Sequence, residues 1–187
     1  MLRFAVAAIA TTATAGASTG TLTPIPLHRG INEIANIAGD GQAGSISVDW
    51  RDNGNAWGYN IFMVRAGGSI VIVDDADRFT DRPHTGEDVI TSVRFGRGLR
   101  NGRETTFALV SDRSIVASVP EPAPTTIKIY VLQRNDDQIG TPYQFLKLSE
   151  AQAKRNYCNA DMALKTETGF PLPREYSGPR TPDGCLR

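Results

Sequence analysis

The sequence predicts a mainly β protein, an antiparallel, sandwich-like sheet domain that ends in one or two short helices. Three observations favour this class. Several segments alternate apolar and polar residues, or are rich in β-branched residues, as strands are. Glycine, proline and asparagine separate these segments. Signals for helices begin only after residue 148, and strands followed by helices are typical of a β domain with a helical attachment.

The first seventeen residues are predicted to be a secretory signal peptide. They begin with the charge of Arg3, continue through the apolar run Phe4–Ala10, and end in Ala15-Gly16-Ala17, which is typical of a cleavage site before Ser18. The apolar run is too short to cross a bilayer, so no membrane span is expected. The alternative is a buried N-terminal helix. We therefore expect residues 18–187 to form one periplasmic or secreted domain.

Six segments are predicted to be strands, and Gly67-Gly68 favours a hairpin between the second and the third. The segments between residues 96 and 104 and between residues 119 and 124 are predicted to be loops. The predicted strands are SISVDWR (45–51), YNIFMVRA (59–66), SIVIVDD (69–75), DVITSVRF (88–95), TTFALVSDR (105–113) and TTIKIYVLQR (125–134).

Two short helices are predicted near the end of the chain. The first, SEAQAKRNYC (149–158), begins with Ser149 and has Gln152 three residues later, which is the spacing of a capping box. The second, ADMALKTETG, follows Asn159 as its N-cap and ends at Gly169.

Cys158 and Cys185 are the two cysteines of the chain. In an exported protein such a pair favours a disulfide over a metal site or a nucleophile. The bond would close a loop of about 26 residues, for which chain-entropy models give about 3 to 4 kcal/mol of stabilisation. It would tie a proline-rich tail to the body of the domain. The alternative is a pair of free thiols at a flexible end.

The sequence gives little support for the common catalytic signatures. S-x-x-K does not occur, G-x-S-x-G occurs only as Gly16-Ala17-Ser18-Thr19-Gly20 across the predicted cleavage site, and the two histidines, His28 and His84, do not form a zinc motif. The formal net charge is zero, without a basic stripe that would indicate nucleic acid. We therefore predict a protein that is not an enzyme and has no cofactor or catalytic metal. A hydrolase with an unrecognised pair of carboxylates is the alternative, because any of the 20 acidic residues could approach another.

Two acidic stretches could hold calcium through carboxylate oxygens. Asp74, Asp75 and Asp77 lie where a predicted strand ends, and we interpret them as a solvated strand end. Asp40 is the single carboxylate of its glycine-rich stretch, so Gly39-Asp40-Gly41 is interpreted as a tight turn rather than an ion site.

The stretch WRDNGNAWGYN (50–60) is the candidate binding site. Asn53-Gly54 predicts the turn of a hairpin, and strand alternation places Trp57 and Tyr59 on one face with Ile61 and Met63, a face we expect to be core. Tryptophan and tyrosine also act as binding anchors. The predicted ligand-binding residues are Trp50, Arg51, Asn53, Asn55, Trp57 and Tyr59.

The chain resembles the carbapenem intrinsic-resistance (CarG-like) family of periplasmic proteins. No single motif is diagnostic, and the resemblance rests on several weak motifs in the same order along the chain. They are GINEI (30–34), GDGQAG (39–44), WRDNGNAWGYNIFMV (50–64), GEDVITSVRF (86–95), PTTIKIYVL (124–132) and YCNADMALKTETGF (157–170). In the family a cysteine often follows the glycine-acid-acid element, where this chain has Val89, so Cys158 has only Cys185 as a partner.

The resemblance implies an exported, β-rich, homodimeric protein that protects against a carbapenem without hydrolysing it. The expected ligand is a β-lactam or a small molecule from the cell wall. Family membership does not prove antibiotic resistance, because binding can change while a fold persists. An interaction or inhibitor module of the cell envelope is therefore an alternative function.

Overall fold

The computed structural model describes residues 21–54, 58–82, 89–136 and 140–186, so the predicted signal peptide lies outside the described residues. Two β-sheets pack against each other, and a C-terminal helix covers the outer face of the larger one. The elements are β1 (Thr23–Pro24), β2 (Gly30–Ile34), β3 (Gly44–Arg51), β4 (Tyr59–Ala66), β5 (Ser69–Ile70), β6 (Ile72–Val73), β7 (Phe79–Thr80), β8 (Thr91–Arg100), β9 (Arg103–Arg113), β10 (Thr125–Arg134), β11 (Tyr143–Gln152) and α1 (Ala160–Thr168).

The larger sheet has the strand order β1-β8-β9-β10-β11-β6 and is antiparallel except where β6 runs parallel to β11. The hairpin from β8 to β9 corrects the sequence prediction, since most of the expected loop at residues 96–104 is strand. Asn101 and Gly102 form the turn with φ angles of 51° and 75°. Asn-Gly is the strongest short hairpin signal, and the surrounding glycines and arginines obscured it.

The smaller sheet has the order β2-β3-β4-β5, with β7 also paired to β4. The hairpin predicted at Gly67-Gly68 is confirmed, because Ala66 pairs with Ser69. The predicted strand at residues 69–75 is divided. Its first half, β5, stays in the smaller sheet, whereas β6 crosses to the larger sheet and pairs with β11. The mainly β, antiparallel class is therefore confirmed.

The core between the sheets is centred on Phe79. Its ring meets those of Phe95, Tyr130 and Phe145 edge-on, with centroids 5.7, 5.3 and 5.1 Å away. A second cluster lies on the other face of the larger sheet and includes Leu164 of α1. The larger sheet is thus covered on both faces, whereas β4 of the smaller sheet alternates between buried and more exposed residues.

The face predicted to be core in β4 is wrong. Phe62, Val64 and Ala66 are buried together with Asn60, whereas Met63 is 51% exposed on the opposite face. Both faces of this strand carry apolar residues, so the alternation alone did not identify the buried one. Burial of Asn60 requires a polar partner, which comes from a distant part of the chain.

One of the two predicted helices is present in the described residues. Ser149 and Gln152 lie in β11, where they pair with β10, so the capping-box spacing was misleading. The other helix is confirmed as α1. Asn159 Oδ1 accepts hydrogen bonds from the N–H groups of Asp161 and Met162 at 2.9 and 3.2 Å. Gly169 ends the helix with a φ of 76°.

The disulfide prediction is confirmed. Cys158 and Cys185 are bonded, with their Cα atoms 4.9 Å apart. The N–H of Cys158 donates to the carbonyl of Asp183 at 2.9 Å, so backbone and disulfide together hold the last residues against α1. The C-terminal tail is consequently held against the body of the domain. No helix among the described residues is long and apolar enough to cross a membrane.

Candidate functional site

The sequence-predicted site lies at the hairpin between β3 and β4, whose register runs from Gly44–Ala66 to Arg51–Tyr59. The predicted turn chemistry is present, since Asp52 Oδ1 accepts the N–H of Gly54 at 2.8 Å and Gly54 has a φ of 76°. Asn55 and Trp57 lie outside the described residues.

The four described members of the predicted site do not converge. Trp50 is half-buried, and its ring occupies the space that a side chain on Gly58 would need. Arg51 pairs instead with Asp49 at 2.6 Å, with both side chains more than half exposed. Asn53 and Tyr59 line a cleft that contains neither Trp50 nor Arg51.

This first cleft, which we call the strand-end cleft, has a volume of about 530 Å³. It lies between β4 and β7 on one side and the start of β8, the end of β9 and the middle of β10 on the other. Most of its lining residues are polar. They include Asn53, Tyr59, Arg78, Thr80, Asp112, Lys128 and Tyr130.

Asp75 forms a clasp beside the strand-end cleft. Its carboxylate accepts hydrogen bonds from Tyr130 Oη at 2.7 Å, Lys147 Nζ at 2.9 Å and Lys128 Nζ at 3.4 Å. Burial raises the pKa of Asp75, but the bonds from Lys147 and Tyr130 and the charge of Lys128 outweigh it and lower the pKa to about 2. Of the acidic stretch that was interpreted as a solvated strand end, Asp75 is therefore ion-paired. Among the described residues, no group of three His, Cys, Asp or Glu side chains could hold a metal ion.

The predicted turn at Gly39-Asp40-Gly41 is confirmed. Gly39 and Gly41 have φ angles of 77° and 88°, and Asp40 Oδ1 accepts the N–H of Gln42 at 3.0 Å. The other carboxylate oxygen accepts Tyr143 Oη at 2.6 Å. Burial raises the pKa of Asp40, but the hydrogen bonds from Tyr143 and Gln42 lower it overall. The carboxylate thus joins this turn to β11.

A second cleft, which we call the tail cleft, is larger, with a volume of about 740 Å³. It separates residues 24–29, which precede β2, from residues 170–175, which follow α1. These two segments are its lips. Its walls are mostly apolar and include Ile25, Leu27, Val48, Phe62, Val93, Phe95, Phe170 and Leu172.

Two arginines line the tail cleft, Arg29 in the first segment and Arg174 in the second, where Glu175 follows it. In the part of the chain that the structure describes, neither guanidinium forms an ion pair. The Arg29 guanidinium lies 5.1 Å from the centre of the Trp50 ring, a cation–π distance. Trp50 of the sequence-predicted site is thus connected to the tail cleft through Arg29.

A third arginine of the tail cleft has a structural role. Arg94 Nη2 and Ser92 Oγ both donate to Asp161 Oδ1 at 2.5 Å. The pair is largely buried, with 18% of the Arg94 side chain and 3% of the Asp161 side chain exposed. It fastens α1 to β8, so the charge of Arg94 is already matched.

The backbone edge of β8 forms part of the wall of the tail cleft. The N–H and carbonyl of Thr91 bond to Arg82, and the carbonyl of Phe95 accepts the N–H of Ile25 at 2.9 Å. Alternate residues of an antiparallel strand direct their backbone groups to the same edge. By this alternation the N–H of Val93, midway between Thr91 and Phe95, is directed to the same edge; Val93 lines the cleft and is 2% exposed, and its carbonyl accepts Arg94 Nη1 at 3.0 Å.

A buried polar pair separates the two clefts. Asn60 and Asp81 are each 1% exposed. The Asp81 carboxylate accepts the backbone N–H of Asn60 at 2.8 Å and its Nδ2 at 3.0 Å. Asp81 and Val93 line both clefts. This pair fixes β7 against β4 and explains why Asn60, rather than Tyr59, faces inward.

The sequence interpretation missed the tail cleft because its two lips are far apart in the chain. A signal was nevertheless present. PIPLHR (24–29) and FPLPR (170–174) both alternate prolines with apolar residues and end in an arginine. Prolines favour extended segments that cannot join the interior of a sheet, and such segments can border a cleft.

Comparisons with known proteins give one informative likeness. No family model matches the chain, and no curated protein matches it significantly. A solved structure, described as the crystal structure of CarG, superimposes with a TM-score of 0.59 at 21% identity, covering 82% of this chain and 100% of that chain. At this identity the likeness concerns the fold. The fold implied by the sequence resemblance is confirmed: the chain has the CarG-like fold.

Proposed function

We propose that this is an exported, noncatalytic binding protein that holds a small amphipathic carboxylate, such as a β-lactam or a cell-wall fragment, in the tail cleft. The proposal rests on one observation. An apolar cleft of about 740 Å³ has an arginine on each lip, and neither arginine has an ion-pair partner in the described ranges.

The size and the chemistry of the cleft both support such a ligand. Binding sites for small molecules are commonly about 300 to 1,000 Å³, mostly apolar, with a few polar groups that orient the ligand. A guanidinium matches a carboxylate in shape and charge, and the pair is stronger where apolar walls exclude water. The apolar part of the ligand would lie against Phe62, Phe95 and Phe170.

The lips also carry His28 and Glu175, and the proposal of binding rather than hydrolysis rests on the two arginines. Arginine stays protonated at physiological pH, so it holds an anion without acting as a general base or a nucleophile. Retention of a β-lactam in this way would lower its free concentration. The sequence resemblance to the carbapenem intrinsic-resistance family makes protection from such a compound the favoured biological role.

Tryptophan fluorescence tests the proposal directly. In a Trp57→Phe protein the signal comes from Trp50, whose ring contacts Arg29 at the cleft. Titration with a carbapenem, with penicillin G and with a muropeptide should change the emission for at least one of them. Calorimetry should then show that Arg174→Gln weakens this binding about tenfold, the effect of losing about 1.4 kcal/mol.

Arg51→Gln is the matched control, because it removes the same charge from a residue that does not line the cleft. It should leave the affinity unchanged. Absence of binding by every compound, or equal weakening by Arg51→Gln and Arg174→Gln, would exclude the tail cleft as the binding site.

The second candidate function is an interaction module, and the outer face of the smaller sheet favours it. Ile31, Met63 and Ile70 are 65%, 51% and 53% exposed there, and clustered exposed apolar residues are typical of protein interfaces. A homodimer formed through this face would be lost in a Met63→Glu protein. Sedimentation velocity would measure this, and Ser47→Glu on the neighbouring strand would be expected to act in the same way.

A further inference from the structure

We infer that the ligand of the tail cleft is a short, extended, peptide-like acid that accepts a hydrogen bond from the backbone of β8 at Val93. Its terminal carboxylate would lie between Arg29 and Arg174. This inference deepens the proposed function and rests on it. It adds the shape and the polar pattern of the ligand to the charge already argued.

The first step is the open length of the β8 edge. Backbone partners occupy this edge at Thr91 and at the Phe95 carbonyl, but they belong to two different segments of the chain. Between them lie four residue steps, or about 13 Å at the rise of a β-strand. An extended ligand of two or three residues fits this length, whereas a longer strand would collide with the segments at either end.

The second step is the polarity of the open edge. The Val93 carbonyl already accepts a hydrogen bond from Arg94 Nη1 at 3.0 Å. The N–H of Val93 is therefore the backbone group that a ligand would meet. A complementary ligand must present a carbonyl oxygen at this point, as an amide or a β-lactam does.

The third step is the pair of walls on either side of the edge. Phe62 belongs to the core between the sheets, whereas Phe170 belongs to the cluster under α1. Both line the tail cleft. Side chains of an extended ligand point alternately to opposite sides, so each apolar wall would receive one. A fatty acid could satisfy the arginines and the walls, but it has no amide carbonyl for Val93.

Two probes separate these possibilities. N-acetyl-phenylalanyl-alanine has an amide backbone and a terminal carboxylate, whereas decanoate has only the carboxylate and an apolar chain. Calorimetry on the full mature protein should show tighter binding of the peptide. Amidation of its C-terminus should weaken binding about tenfold through loss of the arginine contacts.

Val93→Pro removes the N–H that points to the cleft, and proline is tolerated where a strand edge faces away from its partner. Val93→Ala is the matched control, since it also loses core volume but keeps the N–H. We expect Val93→Pro to bind the peptide about tenfold more weakly than Val93→Ala does. Both variants should bind decanoate equally.

Amide hydrogen exchange on the unmodified protein gives a second readout, which does not depend on how a variant folds. The Val93 N–H should exchange more slowly with the peptide bound and should not respond to decanoate. Equal peptide affinity of Val93→Pro and Val93→Ala, or an unchanged exchange rate of the Val93 N–H, would overturn the inference. Binding of decanoate would in that case still support the proposed function. Failure of both probes to bind would overturn both.

Discussion

The tail cleft and the strand-end cleft share Asp81 and Val93 as a partition, yet they are built from different parts of the chain. Extended segments from the two ends of the described chain border the tail cleft, and its walls are mostly apolar. Strands border the strand-end cleft, whose neighbouring lysines are held by the Asp75 carboxylate. The lysines paired with Asp75 are held within the fold, whereas an unpaired cation above apolar walls is available to an anionic ligand.

The largest expected effect comes from releasing the tail. Replacing both cysteines, Cys158→Ser with Cys185→Ser, should cost about 3 kcal/mol of unfolding free energy, because the unfolded chain gains the freedom of the open loop. It should also abolish ligand binding in the tail cleft, since the lip at residues 170–175 loses its anchor. Urea denaturation under nonreducing conditions measures the first effect, and reduction of the unmodified protein should reproduce it. Unchanged stability would show that the disulfide does not hold the tail.

A smaller effect is expected at the Asp75 clasp. Its pKa is about 2 in the folded protein, below its ordinary value of 3.8, so its contribution to stability is complete above about pH 4 and is lost as the pH falls towards 2. Asp75→Asn should cost about 1 kcal/mol at neutral pH, allowing for partial exposure, and should flatten this acid dependence. Urea denaturation at several pH values measures both.

Asp74→Asn is the matched control for the clasp, because the neighbouring carboxylate forms no ion pair in the described residues. Its stability should follow that of the unmodified protein across the same pH range. Tail-cleft binding at neutral pH should survive Asp75→Asn, since Asp75 does not line that cleft. Loss of binding would mean that the two clefts are coupled through their common wall.

The smallest effect is expected from Arg78→Gln in the strand-end cleft. Arg78 is exposed, so its replacement should change the unfolding free energy by less than about 0.5 kcal/mol. It should leave the Trp50 fluorescence titration unchanged, in contrast to Arg174→Gln in the tail cleft. Equal weakening by the two substitutions would indicate that binding depends on the overall field of the protein rather than on the tail-cleft lips.

Much of the fold was predictable because its signals are local. The alternation in β3 identified its buried residues Ile46 and Val48, and Asn159 with Gly169 bounded α1. The helix predicted at residues 149–158 failed because a capping-box pattern can also occur in a strand whose partner supplies the hydrogen bonds. Such a partner is distant in sequence and is invisible to a short pattern.

The candidate site was less predictable for the same reason. Trp50 and Arg51 are adjacent in sequence, but the structure places one beside Arg29 and the other beside Asp49. Arg29 and Arg174 are separated by most of the chain and line one cleft. A cluster of unusual residues in the sequence therefore located a hairpin, while the cleft arose from residues that no local pattern connects.

The amino-acid order alone was sufficient for the β class, the disulfide and the C-terminal helix, because propensity, capping and cysteine pairing depend on short patterns or on a single pair. Tertiary packing chose the buried face of β4, where Asp81 supplies the hydrogen bonds that allow Asn60 to be buried. It also brought residues 24–29 and 170–175 together around the tail cleft. Both outcomes depend on contacts between distant segments, whose free energies exceed the local preferences of the residues involved.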